Sequence, residues 1–242
     1  MTKHKAHGLV EHYKLRVYNM LRAWQKRLLD NRPAVTYEFA TTGAHEQVID
    51  AGIYDVWLVG GGGGGACLRQ SQTNSKAWAR GGVGGVLHVR INVPVQTTIT
   101  VNVASGASSR QANFTSAGVT ASGDNGNATS ITGFEGVVLI AGGGTGARVQ
   151  STSTTATNRY VGTQGTNTAS GQNIVSVIEN NVNTIASTQG TSSAQSRSAS
   201  GQPNTNWAEN TAKGSGGDVG WAGSSFILRV GGIGFVRIKT SD

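Results

Sequence analysis

The residues with which this chain could do acid–base, nucleophilic or metal chemistry are few and scattered. Five histidines stand at His4, His7, His12, His45 and His88, and Cys67 is the one cysteine in 242 residues. None of them falls at metal-ligand spacing with another or with a cluster of carboxylates. No Ser-His-Asp grouping is suggested, and ten acidic residues spread beyond Pro33 give little support to paired catalytic carboxylates. The sequence therefore names no catalytic residue, no metal ligand and no cofactor-binding residue, and the expectation is a protein that is not an enzyme. One stretch invites a different chemistry. In Ile53 to Gly65, IYDVWLVGGGGGG, a strand-like run passes straight into six glycines. A glycine run after a strand can cradle phosphate, but only where a helix follows to offer its N-terminus. No Gly-Lys-Ser/Thr follows Gly65, and residues 66–80 have no helical period, so nucleotide binding fails on context. Trp57, Trp78, Trp207 and Trp221 could stack on sugar rings, although core or interface packing is their more ordinary use.

The glycines point instead to architecture. Glycine loses most backbone entropy on ordering and offers nothing to pack, so a run of six stays ordered only where backbones approach closely or take positive φ. The pattern recurs in VVLIAGGGTGA (Val137 to Ala147), and Gly81 to Gly85 and Gly231 to Gly234 each lead into a further strand. Strand–glycine–strand is the plan of the chain.

Strands are expected at Val35 to Phe39, Gln47 to Asp50 and Ile53 to Val59, the last two joined by a tight turn at Ala51-Gly52. Val86 to Val93 and Thr97 to Val103 alternate cleanly and read as a hairpin closed at Pro94. Leu87, Val89, Ile91 and Val93 share one face, and Ile99, Val101 and Val103 another. One polar face per strand implies antiparallel sheet. A polar loop is expected over Ala104 to Asn127, then strands at Ala128 to Ile131 and Gly136 to Ala141. A closing hairpin is expected from Ser225 to Val230 and Phe235 to Lys239. Residues 148–215 are rich in Ser, Thr, Asn, Gln and Gly, relieved mainly by Ile174 to Ile178. A lone chain cannot bury enough surface there to order it, so that stretch is either disordered or held by neighbouring subunits and backbone hydrogen bonds.

The first 33 residues differ in kind. They hold eight Lys/Arg against Glu11 and Asp30, so most of the net charge of +8 lies there and the remainder is nearly neutral. Residues 9–29 read as an amphipathic helix ended by Asn31 and Pro33. Val10, Tyr13, Val17, Met20, Leu21, Trp24 and Leu28 form its apolar stripe at spacings of three and four. Seven-residue steps among them permit a short self-associating coil. Docking or oligomerisation, packing on the chain's own β-domain, and contact with lipid or nucleic acid are all open to such a helix, the first being preferred. No apolar run approaches the roughly 20 residues of a membrane helix. The N-terminus lacks the apolar core and cleavage site of a secretory signal.

The order of four segments resembles the glycine-rich domain found in bacteriophage tail proteins. Phe39 to Ala66 (FATTGAHEQVIDAGIYDVWLVGGGGGGA) is similar to that domain's opening, an aromatic, a TG turn and an aliphatic strand into polyglycine. Gly81 to Val103, Ala128 to Gly144 and Gly231 to Lys239 (GGIGFVRIK) are similar to its later pieces. Residues 148–215 hold fewer glycines than the family usually shows, and the glycine after Val103 is shifted to Gly106. The resemblance leaves out Met1 to Asn31 and implies no catalytic residue. It implies a virion protein displayed at the particle surface, a tail-fibre or tail-tip component that binds the host surface, glycan or protein. The alternative is a head fibre, capsid decoration or connector with a purely structural role. The expectation is thus a basic helix (1–33), for anchoring to other virion proteins and for oligomerisation, followed by an antiparallel, jelly-roll-like β-sandwich (34–242) with long Gly/Ser/Thr-rich loops. A homotrimer is implied, made in the host cytoplasm without a signal peptide, with no nucleic-acid partner and no membrane insertion.

Overall fold

Strands that alternate apolar and polar residues bury one face each, and two such sheets bury both by meeting face to face. The computed structural model describes residues 13–23, 34–70, 76–153, 157–180, 216, 219–222, 225–228 and 230–241. Its base is an antiparallel β-sandwich. One sheet has the order β1 (Thr36–Phe39), β18 (Phe235–Thr240), β3 (Gly52–Val59), β6 (Val86–Val93), β15 (Ile174–Asn180). The other runs β14 (Asn167–Ser170), β11 (Val138–Ala141), β10 (Thr129–Thr132), β7 (Thr97–Val103), β2 (Gly43–Ile49). Between them Val56, Leu58, Leu87, Val89, Ile99, Val101, Leu139 and Ile238 are fully enclosed.

Two local expectations change here. The strands Val86–Val93 and Thr97–Val103 form as read, with the inward residues as read, but they are not a hairpin. β6 lies in one sheet and β7 in the other, and the turn at Pro94 crosses between layers. The Ala51-Gly52 turn likewise carries the chain from β2 to β3 across the sandwich. Alternation fixes which side chains face inward, and that is equally satisfied by a neighbour alongside or a partner opposite. Nor do the last two strand runs close a hairpin. β17 (Ser225–Leu228) pairs with β16 (Val219–Ala222), whereas β18 pairs with β1 and β3.

Beyond the sandwich the glycine runs are ordered. The amides of Gly60 and Gly63 donate to the carbonyls of Gly85 and Gly82, those of Gly61 and Gly64 to Asn127 and Asp124, and that of Gly62 to Gly232. Partners therefore repeat every third residue, the period of the polyproline II conformation, which makes no hydrogen bonds within its own chain. The carbonyls of Gly61 and Gly64 accept from Gly144 and Ala147, and those of Gly62 and Gly65 from Ala107 and Arg110. Gly60 to Gly65 is thus the axis of a bundle, ringed by residues 80–85, 104–109, 123–128, 142–147 and 231–234. Segment 161–166 lies outside 80–85 and 142–147. Gly216 abuts Gly81.

Past the bundle the same chains become strands again. β4 (Ala66–Gln70) pairs with β5 (Lys76–Ala79) and, in parallel, with β8 (Arg110–Phe114). β12 (Arg148–Ser151) lies between β9 (Thr120–Ser122) and β13 (Thr157–Tyr160). Their shared core is small where it leaves the bundle (Ala66, Ala79, Ala121, Ala147) and larger further out (Leu68, Phe114, Val149). The expected loop at Ala104–Asn127 is therefore two bundle segments around β8 and β9. In residues 148–215, positions 148–153 and 157–180 order within one chain as β12 to β15, contrary to the expectation for a lone chain. Cross-strand pairing and the bundle supply the missing partners; residues 181–215 lie outside the described residues.

Candidate ligand-binding face

In a three-residue repeat, side-chain positions point in three directions about 120° apart. A direction aimed at a neighbouring backbone has no room for a Cβ. On Gly60 and Gly63 a Cβ would fall 2.0 Å from the carbonyl oxygens of Gly142 and Thr145. On Gly61 and Gly64 it would fall 2.2 and 1.8 Å from those of Ser105 and Ser108. None of the glycines with positive φ (Gly43, Gly118, Gly133, Gly136, Gly171) belongs to the bundle. Close approach, not positive φ, is what the runs require. The same amides decide the phosphate question. Those of Gly60 to Gly64 are spent on carbonyls, and that of Gly65 donates to Ser109 Oγ at 2.7 Å, so no row of donors faces a ligand.

The bundle separates two polar surfaces. On the base, the outer face of β18, β3 and β6 carries Trp57 stacked on His88 at 4.2 Å and Asp55 paired with Arg90. Both Arg90 bonds to the carboxylate are 2.9 Å, a fork-on-fork pair. The Arg90 guanidinium holds the Asp55 carboxyl below its ordinary value, against burial, which raises it. Burial pushes His88 below its ordinary value; Asp55 opposes that shift and Arg90 adds to it. His88 Nε2 is buried without a hydrogen-bond partner among the described residues, 3.8 Å from Asp55 Oδ1 and too far to donate. Arg237 Nε donates to Glu38 Oε1 at 2.7 Å beside them. These groups are spent on one another across strands, an arrangement that stabilises the sheet.

At the far end, the outer face of β9, β12 and β13 is open. Antiparallel register places Ser122, Arg148 and Tyr160 in one row and Thr120, Gln150 and Asn158 in the next. Tyr160 is 48% exposed, and Arg148 lies 5.7 Å from its ring centre while donating to Gln150 Oε1 at 3.0 Å. An exposed ring, a guanidinium and a border of hydroxyls and amides can hold a sugar chain by stacking and hydrogen bonding. This face escaped the sequence because its strands are only three or four residues long and lie in low-complexity sequence. The alternation in RVQS and TNRY is its only trace.

Of the stripe residues on the helix, Tyr13, Val17, Met20 and Leu21 lie in the described helical segment 13–23, and Val10, Trp24 and Leu28 lie outside it. All four are exposed, as are Leu15 and Tyr18 on the remaining flank, which the stripe leaves out. His45 bonds locally, donating from Nε2 to the Thr41 carbonyl at 2.8 Å. Cys67 is buried in β4. No group of three or more metal-ligating side chains occurs among the described residues. Of the tryptophans weighed for sugar stacking, Trp57 is occupied by His88, Trp78 is half-buried and Trp207 lies outside the described residues.

No curated protein matches the chain. The family described as "Glycine-rich domain" matches residues 40–241, from the turn before β2 to the residue after β18. The bundle explains why such a family has a recognisable sequence, since glycines such as Gly60, Gly61, Gly63 and Gly64 mark backbone contacts, and the chain belongs to this glycine-rich domain family.

Proposed function

We propose that this protein is a bacteriophage virion component of the tail-fibre or tail-tip kind, displayed at the particle surface, that binds the host cell surface. The observation that carries the proposal is the separation of parts. The sandwich stands at one end and the open Arg148–Tyr160 face at the other, with a spacer of six-residue segments between them, about 19 Å long at 3.1 Å per residue. Hydrogen bonding across the spacer makes it stiff without charged or bulky side chains. The resemblance of Phe39 to Ala66 and the later segments to phage tail proteins supplies the particle. In this reading the basic helix joins other virion proteins and further copies of the chain, as a trimer, and the far end meets the host.

Binding of fluorescently labelled protein to intact bacteria tests the proposal. Saturable binding that unlabelled protein competes away is the expected result. Incorporation into capsids together with no binding to cells would replace it with the head-fibre, decoration or connector reading.

A further inference from the structure

Charge in the described part of the β-domain, the helix left aside, is sorted along the long axis. The sandwich holds Glu38, Glu46, Asp50, Asp55 and Glu135 against Arg90, Arg237 and Lys239. The bundle and the far module hold Arg69, Arg80, Arg110, Arg148 and Arg159 with Asp124, which pairs with Arg110 at 2.8 Å. Sequence totals conceal this, because the two halves nearly cancel.

We infer that the outer face of β9, β12 and β13 binds an acidic saccharide, a polymer of carboxylate-bearing sugars, through Arg148 and Tyr160. The inference rests on the host-surface reading above and narrows it to one ligand class. A guanidinium carries five donors in a planar fork that matches a carboxylate, and Arg148 commits one of them to Gln150. Tyr160 beside it offers apolar ring surface to the C–H face of a pyranose. Charge attached directly to a sugar ring satisfies both at once, which favours a uronate over a phosphate carried on a flexible chain. Ser122, Thr120 and Asn158 are exposed around the pair to meet sugar hydroxyls. The face is an open sheet surface, suited to an extended polymer lying across the strands. Arg159, on the reverse side of β13, adds positive field.

The test titrates the full chain with polygalacturonate, dextran and inorganic polyphosphate. The basic helix would attract any polyanion, so a helix variant carrying Arg16→Gln and Arg22→Gln is compared with a face variant carrying Arg148→Gln on the face and, to match its charge, Arg159→Gln on the reverse side of β13. Expected are binding to polygalacturonate but not dextran, a loss of about tenfold or more for Arg148→Gln and for Tyr160→Ala, and little change for the helix variant. Circular dichroism unchanged from wild type certifies that the exposed substitutions leave the fold intact. Equal affinity for dextran, binding to polyphosphate alone, or equal losses in the helix and face variants would each overturn the inference. Saturable binding to bacteria that polygalacturonate fails to compete would overturn it and leave the host-surface reading standing. Polygalacturonate binding lost in Arg148→Gln, with no binding to bacteria, would uphold the chemistry of the face and remove the host-surface reading.

Discussion

The carbonyl oxygen of Thr145 lies 2.0 Å from the place where a Cβ on Gly63 would sit. No side chain is the obstacle there; the contact is backbone on backbone in the middle of the bundle. Alanine at Gly63 must therefore push segment 142–147 away from segment 60–65 and stretch the hydrogen bonds that radiate from it. The expected cost is about 3 kcal/mol or more, the upper end for overpacking. Gly136 has φ of +65° and nothing within 4 Å of its Cβ position. Alanine there meets only the left-handed backbone penalty, about 1–2 kcal/mol. Urea unfolding of the two variants checks the order; a Gly63→Ala protein as stable as Gly136→Ala would refute close packing in the bundle.

Amide exchange gives a second reading of the same feature. The amides of Gly60 to Gly64 belong to no helix or strand, yet each has a carbonyl partner at 2.8–2.9 Å and is buried. Protection comparable to that of the β3 amides is expected, since opening one segment breaks contacts with several neighbours. Exchange at the rate of a solvated loop would show that the bundle does not persist in solution.

How much of this could be read beforehand depends on the kind of information. Inward residues of β6 and β7 were legible because burial imposes period two; their separation into different sheets was not, because a three-residue turn serves either arrangement. The glycine spacing was more informative than it looks. Where neighbours crowd a segment, more than one direction must be glycine, as at Gly60 and Gly63 and at Gly61 and Gly64. Where one direction faces out, every third residue is free: Arg80 and Val83 break the glycines of 80–85. On the periphery only one direction is constrained, leaving Gly123 and Gly126, Gly162 and Gly165, Gly231 and Gly234. Thr145 is an exception, in line with Gly142 yet tolerated because its Oγ1 accepts the Thr163 amide at 2.6 Å. The Arg148–Tyr160 row stayed hidden, since four-residue polar strands resemble loops until their register is known.

The His88 environment makes stability depend on pH. Burial lowers its folded pKa beneath the ordinary 6.5, so the unfolded chain binds the proton first. Stability from this group is complete above pH 6.5 and is lost as pH falls towards the folded value, at up to about 1.4 kcal/mol per pH unit for one proton. Asp55, also lowered, adds a loss of the same sign only as pH falls below its ordinary 3.8. The two losses therefore begin at different pH, that of His88 first as pH falls. Melting temperatures measured from pH 7.5 down to about 5 should decline in the wild type and decline less steeply in His88→Gln, whatever its starting stability. Parallel curves would mean that His88 does not carry the dependence.

The remaining prediction concerns the helix. Two arguments favoured assembly from the sequence, and the structure weakens one, since β12 to β15 order within a single chain. The other stands on Tyr13, Val17, Met20 and Leu21, which are 68, 41, 64 and 53% exposed. Apolar side chains grouped on one helix flank lose free energy in water and regain it when another helix covers them. Further copies of this chain present the same stripe, with Tyr13 and Met20 seven residues apart. Asp at Val17 and Met20 would bury two charges in that seam, each costing on the order of 2 kcal/mol or more. The doubly substituted protein should dissociate at concentrations at least about a hundredfold higher than the wild type, with its β-sheet circular dichroism intact. Multi-angle light scattering measures both proteins. A dimer would alter the expected stoichiometry of three, and a wild-type monomer at high concentration would remove the assembly altogether.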